Sequence, residues 1–154
     1  MQDKIGWIGL GSMGNRMAKN LAKNGYQMLV TDKMDTSAAP QGAHVATTNS
    51  EVISEANILI LSIPAGPDTL EITQEILNTP SSSVEIVIDT STIGIPDAKQ
   101  AAELLSKKGI EYVDAPVSGG IAGAESATLA VMVGCKENIF EKVQPILKCI
   151  GANI

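Results

Sequence analysis

Short apolar runs alternating with polar, helix-periodic segments set the rhythm of this chain. Lys4-Ile5-Gly6-Trp7-Ile8-Gly9 is largely apolar and ends in glycine, the pattern of a strand buried on both faces of a parallel sheet. From Ser12 the apolar positions Met13, Met17, Ala18, Leu21 and Ala22 recur at helical spacing, and Asn24-Gly25 supplies a left-handed stop. Tyr26 to Thr31 reads as a second strand ending on Asp32, which completes a unit of about 30 residues with βαβ rhythm.

The rhythm continues with variations. Asn49 is predicted to cap a short helix through Ala56, and Asn57 to Ile63 is an apolar strand stopped by Pro64. Pro67-Asp68 opens a helix with Leu70, Ile72, Ile76 and Leu77 on its apolar face. Val84 to Asp89 is a further strand, Pro96 to Lys108 a helix closed by Gly109, and Ile110 to Val113 a short strand. Thr128 to Val133 is strand-like, and Lys136 to Ile150 is helical despite Pro145. Strands alternating with helices predict an α/β, Rossmann-type doubly wound fold, its mostly parallel sheet covered on both faces. No internal boundary shows, so the 154 residues are expected to form one domain with a single sizeable core.

Composition narrows the function. Hydrophobic residues make up 44% of the chain and aromatics only 3%, so aliphatic side chains and methionine must fill the core. The net charge is -6 and Arg16 is the only arginine, which argues against the phosphate-tracking basic surface that nucleic acids or anionic membranes require. No apolar stretch approaches the roughly 20 residues that span a bilayer, and Met1 to Gly11 lacks the layout of a secretory signal. A cytoplasmic location is the expectation. Cys135 and Cys149 stand alone, without metal-ligand or disulfide spacing, and read as two buried reduced thiols.

Gly9-Leu10-Gly11-Ser12-Met13-Gly14 is a G-x-G-x-x-G turn placed between the first strand and the first helix. In that setting the first glycine permits the tight turn, the second admits a pyrophosphate to the backbone, and the third allows close helix–strand packing. The helix N-terminus adds unpaired N–H groups and a positive dipole end. The bland alternative is a structural glycine turn. Asp32 closes the second strand, where a carboxylate can accept hydrogen bonds from an adenosine ribose 2′-hydroxyl; the alternative is a solvated turn aspartate. The carboxylate favours NAD over NADP, although neighbouring Lys33 could partly offset repulsion of a 2′-phosphate. Ile63-Pro64 and Thr90-Ser91-Thr92 follow strands at their carboxyl ends and could flank the nicotinamide half, or be ordinary strand–helix turns. Asp114-Ala115-Pro116-Val117-Ser118-Gly119-Gly120 leads into a loop able to offer backbone N–H donors and one hydroxyl to a carboxylate, or a plain tight turn.

Three segments together carry a resemblance: Ile5 to Leu21, Asp114 to Ala124, and Thr128-Leu129-Ala130-Val131-Met132-Val133-Gly134. In this order they resemble the β-hydroxyacid dehydrogenase family, which includes 3-hydroxyisobutyrate dehydrogenases and tartronate semialdehyde reductases. The resemblance covers nearly the whole chain. It implies a 6-phosphogluconate dehydrogenase-like NAD(P)-binding domain in which the Gly9 to Gly14 turn, Asp32, the Ile63-Pro64 loop and Thr92 contact the cofactor. It assigns Ser118, Gly119 and Gly120 to the carboxylate of a small 3-hydroxy acid. It also implies an all-helical domain, following Ile154, that carries a catalytic lysine and builds a homo-oligomer. Two local departures stand out. Ala127 occupies the place of the family's usual glycine before the Thr-Leu pair, and Asp32-Lys33 stands where NADP-preferring members tend to carry Asn-Arg.

Reduction of a carbonyl by hydride needs a general acid within hydrogen-bond reach. His44, the only histidine, reads as an exposed loop residue, and neither Tyr26 nor Tyr112 is followed four residues later by lysine. Lys107 and Lys108 fit helix C-terminal charge complementarity without catalysis. No catalytic residue is therefore assigned between Met1 and Ile154, the family's lysine being expected beyond Ile154. The expectation is a cofactor-binding domain that is catalytically incomplete by itself. A stand-alone dinucleotide-binding or sensor module is the alternative, and an S-adenosylmethionine-binding methyltransferase is a third reading.

Overall fold

A computed structural model describes residues 2–154. The elements run β1 (Ile5–Ile8), α1 (Gly14–Lys23), β2 (Met28–Thr31), β3 (His44–Val45), α2 (Asn49–Glu55), β4 (Ile58–Leu61), α3 (Gly66–Asn78), β5 (Ile86–Asp89) and α4 (Ile95–Ser106). They continue with β6 (Glu111–Asp114), β7 (Val117–Ser118), α5 (Gly120–Ser126), β8 (Leu129–Val131), α6 (Glu137–Leu147) and β9 (Gly151–Asn153).

Six strands pair in parallel in the order β3-β2-β1-β4-β5-β6. The period-2 alternation of side chains splits the central strands between two cores. Ile5, Trp7, Ile58, Ile60, Ile86 and Ile88 enter one apolar cluster, with Met17 and Leu21 of α1. Ile8, Leu59, Leu61 and Val87 enter the other, with Val52, Ile53, Ile72, Ile76 and Leu105 from α2, α3 and α4. Both faces are thus covered, which is why the strands are continuous apolar runs. Connections turn one way from β1 to β2 and the other way from β1 to β4, so a crevice opens outside the carboxyl ends of these strands.

A second, smaller sheet in the order β7-β8-β9 was not foreseen. β7 and β8 are antiparallel, β8 and β9 parallel. Leu129 and Val131 of β8 join Val143, Ile146 and Leu147 of α6 in the first cluster, and Asn20 Nδ2 of α1 donates to the Ala124 carbonyl of α5 at 2.7 Å. The small sheet is therefore fused to the large one by a shared core.

Several sequence expectations need correction. Thr48, not Asn49, caps α2: its hydroxyl accepts from the Glu51 amide at 3.2 Å, with Asn49 the first helical residue. The buried face of α3 carries Thr69 and Thr73 with Ile72 and Ile76, while Leu70 and Leu77 are only half-buried. The reason is Asp89, wholly buried at the end of β5. It accepts from Thr69 Oγ1 at 2.7 Å, Tyr112 OH at 3.0 Å and the Ser91 amide at 2.9 Å, so a polar helix face is needed opposite it. His44 is exposed but lies on the two-residue edge strand β3, paired with Leu29, its ring nitrogen 3.2 Å from Glu51. Cys149 is buried and free, whereas Cys135 is free and exposed. Pro145 sits in the last turn of α6, where few helical bonds remain to lose.

Candidate functional site

The cleft outside β1, β2 and β4 has a volume of about 640 Å³ and is bordered by the whole Gly9 to Gly14 turn. Each glycine has a distinct physical reason. Gly9 has φ +105°, and a Cβ there would overlap the Ser62 carbonyl. A Cβ at Gly14 would overlap the Gly9 carbonyl, so α1 begins in backbone contact with the turn. At Gly11 a Cβ would meet nothing within 4 Å, leaving that side of the turn open.

Side chains hold the carbonyls of the turn, Trp7 from the core behind it and Asn15 and Arg16 from the first turn of α1. Trp7 Nε1 donates to the Gly9 carbonyl at 2.8 Å, Asn15 Nδ2 to that of Gly11 at 2.6 Å, and the Arg16 guanidinium to that of Ser12 at 2.7 Å. The Leu10 amide donates to Asp32 Oδ2 at 2.7 Å. Among the described residues, the amides of Gly11, Ser12, Met13 and Gly14 have no protein acceptor. Four donors at the start of α1, beside a position without a side chain, fit a pyrophosphate in both charge and space.

Asp32 ties this turn to the next loop, its Oδ1 accepting from the Met34 amide at 2.7 Å and the Asp35 amide at 3.2 Å. Burial pushes its carboxyl up, but the three backbone hydrogen bonds outweigh burial and hold it below the usual carboxylate range. It is thus ionised at neutral pH, an acceptor facing the cleft. Ile63 and Pro64 also border the cleft, and the Ile63 amide donates to Ser91 Oγ at 2.9 Å, joining the loop after β4 to the loop after β5.

Of the residues singled out by sequence, Gly9, Leu10, Gly11, Ser12, Met13, Gly14, Asp32, Lys33, Ile63 and Pro64 converge on this one cleft. Thr92, Ser118, Gly119 and Gly120 are exposed and lie outside its lining. Ile154, the position after which the resemblance puts the catalytic lysine, is likewise exposed and outside the lining, so it is no site residue itself. It follows β9 on the small sheet, where its side chain lies beside Gly151 rather than near the glycine turn. The opposite wall was missed: Asp68, Glu71, Ile72 and Glu75 come from α3 and Asn49 from α2. Their only sequence signal was the polar side of a helix following Pro67.

A doubly wound parallel sheet with a nest of free amides at its switch point, and a carboxylate at the end of its second strand, defines a Rossmann-type dinucleotide-binding domain. The chain belongs to the family described as the NAD binding domain of 6-phosphogluconate dehydrogenase, whose model matches residues 4–154, and within it to the NAD-binding domains of the β-hydroxyacid dehydrogenases. It is 40% identical over 161 residues to 2-(hydroxymethyl)glutarate dehydrogenase of Eubacterium barkeri, covering 98% of this chain and 52% of that protein. Mycobacterium tuberculosis 3-hydroxyisobutyrate dehydrogenase, solved with L-serine, superposes with TM-score 0.91 at 34% identity, covering 100% of this chain and 54% of that one. A structure of Psf3 in complex with NADP+ and 2-OPP superposes with TM-score 0.81 at 25% identity, covering 97% and 55%. The chain spans about half the length of the curated relatives it matches, 52% and 46% for two of them.

Proposed function

We propose that residues 1–154 act as one cofactor-binding domain of an NAD-dependent 3-hydroxyacid dehydrogenase. The reaction would move a hydride between the nicotinamide cofactor and a small 3-hydroxy acid or its semialdehyde. The observation that carries this reading is the set of unpartnered amides from Gly11 to Gly14 beside an ionised Asp32.

When bound, the cofactor supplies the hydride acceptor or donor; this chain's residues bind and orient it. Gly11 to Gly14 hold the pyrophosphate through backbone N–H groups, which carry no side-chain entropy to lose. Asp32 accepts from the adenosine ribose, and its three backbone hydrogen bonds fix the carboxylate before the ligand arrives. Ile63, Pro64 and Thr92 bound the nicotinamide end. Ser118, Gly119 and Gly120 receive the substrate carboxylate, with Gly119 at φ +139° and Gly120 at φ +65° presenting their amides at the start of α5. The proton requires a group outside this set. His44 sits on the far edge strand beside Glu51, and Lys33 and Arg16 are both in ion pairs. The lysine implied by the family resemblance is assigned to a helical domain following Ile154.

The proposed setting is the cytoplasm, supported by the two free thiols. No described helix is long and apolar enough to cross a membrane. Titration of the 154-residue chain tests the reading. NAD is expected to bind at least about tenfold tighter than NADP, or about 1.4 kcal/mol, and the chain alone to show negligible turnover of 3-hydroxy acids. Equal or reversed affinities would remove Asp32 from its role, and robust turnover would place the proton donor within these residues.

A further inference from the structure

Five carboxylates border the cleft, Asp32, Asp35, Asp68, Glu71 and Glu75, against two cations, Arg16 and Lys33. Neither cation is free. Arg16 is drawn to the Ser12 carbonyl at 2.7 Å and to Glu125 at 3.6 Å. Lys33, next in sequence to the carboxylate assigned to the ribose, reaches Asp68 Oδ1 in the first turn of α3 at 3.6 Å. The ammonium group best placed to meet a 2′-phosphate is therefore engaged by the opposite wall. Lys33 is mostly exposed, with 73% of its side chain accessible, whereas Asp68 is the more sheltered partner at 27%. The tether is thus anchored on the α3 side.

Resting on the reading that the adenosine ribose sits at Asp32, we propose that Asp68 is a second determinant of cofactor choice: it sequesters Lys33 and so turns the adenosine end of the cleft against a 2′-phosphate. Such a phosphate brings about 1.5–2 negative charges at neutral pH. In this cleft it meets Asp32 directly and finds Lys33 already neutralised. Asp68 acts through Lys33 and needs no contact with the ribose. An exposed ion pair of this kind contributes little to folding, so removing it alters the charge of the cleft without unfolding the chain.

A double-mutant cycle tests this with the 154-residue chain, its Asp68→Asn and Lys33→Gln variants and the double variant. Each is titrated with NAD and NADP, and with 5′-AMP and 2′,5′-ADP as probes of the adenosine end alone. Asp68→Asn is expected to move the NADP-to-NAD affinity ratio toward NADP by about fivefold at low salt, equivalent to about 1 kcal/mol, the upper end for an exposed pair. Lys33→Gln alone should move the ratio much less, and the double variant should lose most of the gain. The 2′,5′-ADP to 5′-AMP ratio should follow the same pattern. The gain should shrink as salt rises, since the screening length falls from about 30 Å at 0.01 M to about 8 Å at 0.15 M. An unchanged ratio in Asp68→Asn while NAD still binds would overturn the proposal and leave the ribose reading standing, as would a gain that survives loss of Lys33. Failure of the unmodified chain to bind either nucleotide would overturn both.

Discussion

The turn after β1 and the Ser118-Gly119-Gly120 segment that joins β7 to α5 use similar residues to different ends. Both are glycine-rich and both lead into a helix. In the first, one wall comes from the loops after three neighbouring strands of one sheet and the opposite wall from α3 and α2. Gly9 and Gly14 are pressed against backbone, and Trp7, Asn15 and Arg16 hold the carbonyls. The result is a cleft of about 640 Å³ within the chain. In the second, Gly119 and Gly120 have positive φ but lie at the surface, and a Cβ on Gly119 would first meet the flexible Leu129 side chain at 3.1 Å. Backbone donors make a walled cleft only where the fold places a second wall opposite them. That contrast supports the proposed division of labour, in which the first segment holds the cofactor and the second supplies part of a substrate site.

The largest effect that would sharpen this contrast is expected from Gly9→Ala. The new Cβ overlaps the Ser62 carbonyl and imposes a strained positive φ, so the loss of stability should reach about 3 kcal/mol or more. Urea unfolding monitored through buried Trp7 measures it, and a loss below about 1 kcal/mol, within the range of an ordinary point substitution, would show that the turn is softer than its packing indicates. Gly11→Ala is expected to behave oppositely, because its Cβ enters open space. Stability should stay within about 0.5 kcal/mol, while NAD affinity falls at least about tenfold. Calorimetry that finds unchanged affinity would mean no ligand approaches that side of the turn.

Acid should weaken the first region through Asp32. Its carboxyl lies below the usual range in the folded chain, so its contribution is present above the ordinary aspartate pKa, about 3.9, and is lost as pH falls through its lower folded value. NAD affinity should therefore hold down to about pH 5 and decline below pH 4 in step with protonation. A decline centred near pH 6.5, the histidine range, would point to another group. The smallest effect belongs to the second region. Ala127 is the only described non-glycine residue at positive φ, +58°, and it ends α5 in the left-handed conformation. Ala127→Gly should stabilise the chain by about 0.5–1 kcal/mol without changing NAD affinity. Denaturant midpoints showing a loss would indicate that the methyl group packs usefully.

Much of the large sheet was legible because its strands are buried on both faces and therefore appear as unbroken apolar runs. The glycine turn was legible because backbone overlap and positive φ leave few residue choices. Other features escaped for identifiable reasons. The strands β7 and β9 span two and three residues, too few for alternation to register. Apolarity alone points to Leu70, Ile72, Ile76 and Leu77 as the inward face of α3, and of these only Ile72 and Ile76 are buried there. A buried Asp89 required Thr69 instead. The exposed state of Cys135 followed from its position in the loop after β8, which no spacing rule reveals.

Sequence alone was enough to determine the βα alternation, the placement of the glycine turn between strand and helix, and Asp32 at the end of the second strand. These are local matters, decided by side-chain periodicity and by steric limits on single residues. Tertiary structure alone decided which residues form the opposite wall of the cleft, that Lys33 is held by Asp68 from an element 35 residues away, and that Ser118, Gly119 and Gly120 stand apart from the Gly9–Gly14 cradle. Those relations depend on how helices dock across the sheet, and docking is set by the summed packing of two cores rather than by any short stretch of chain.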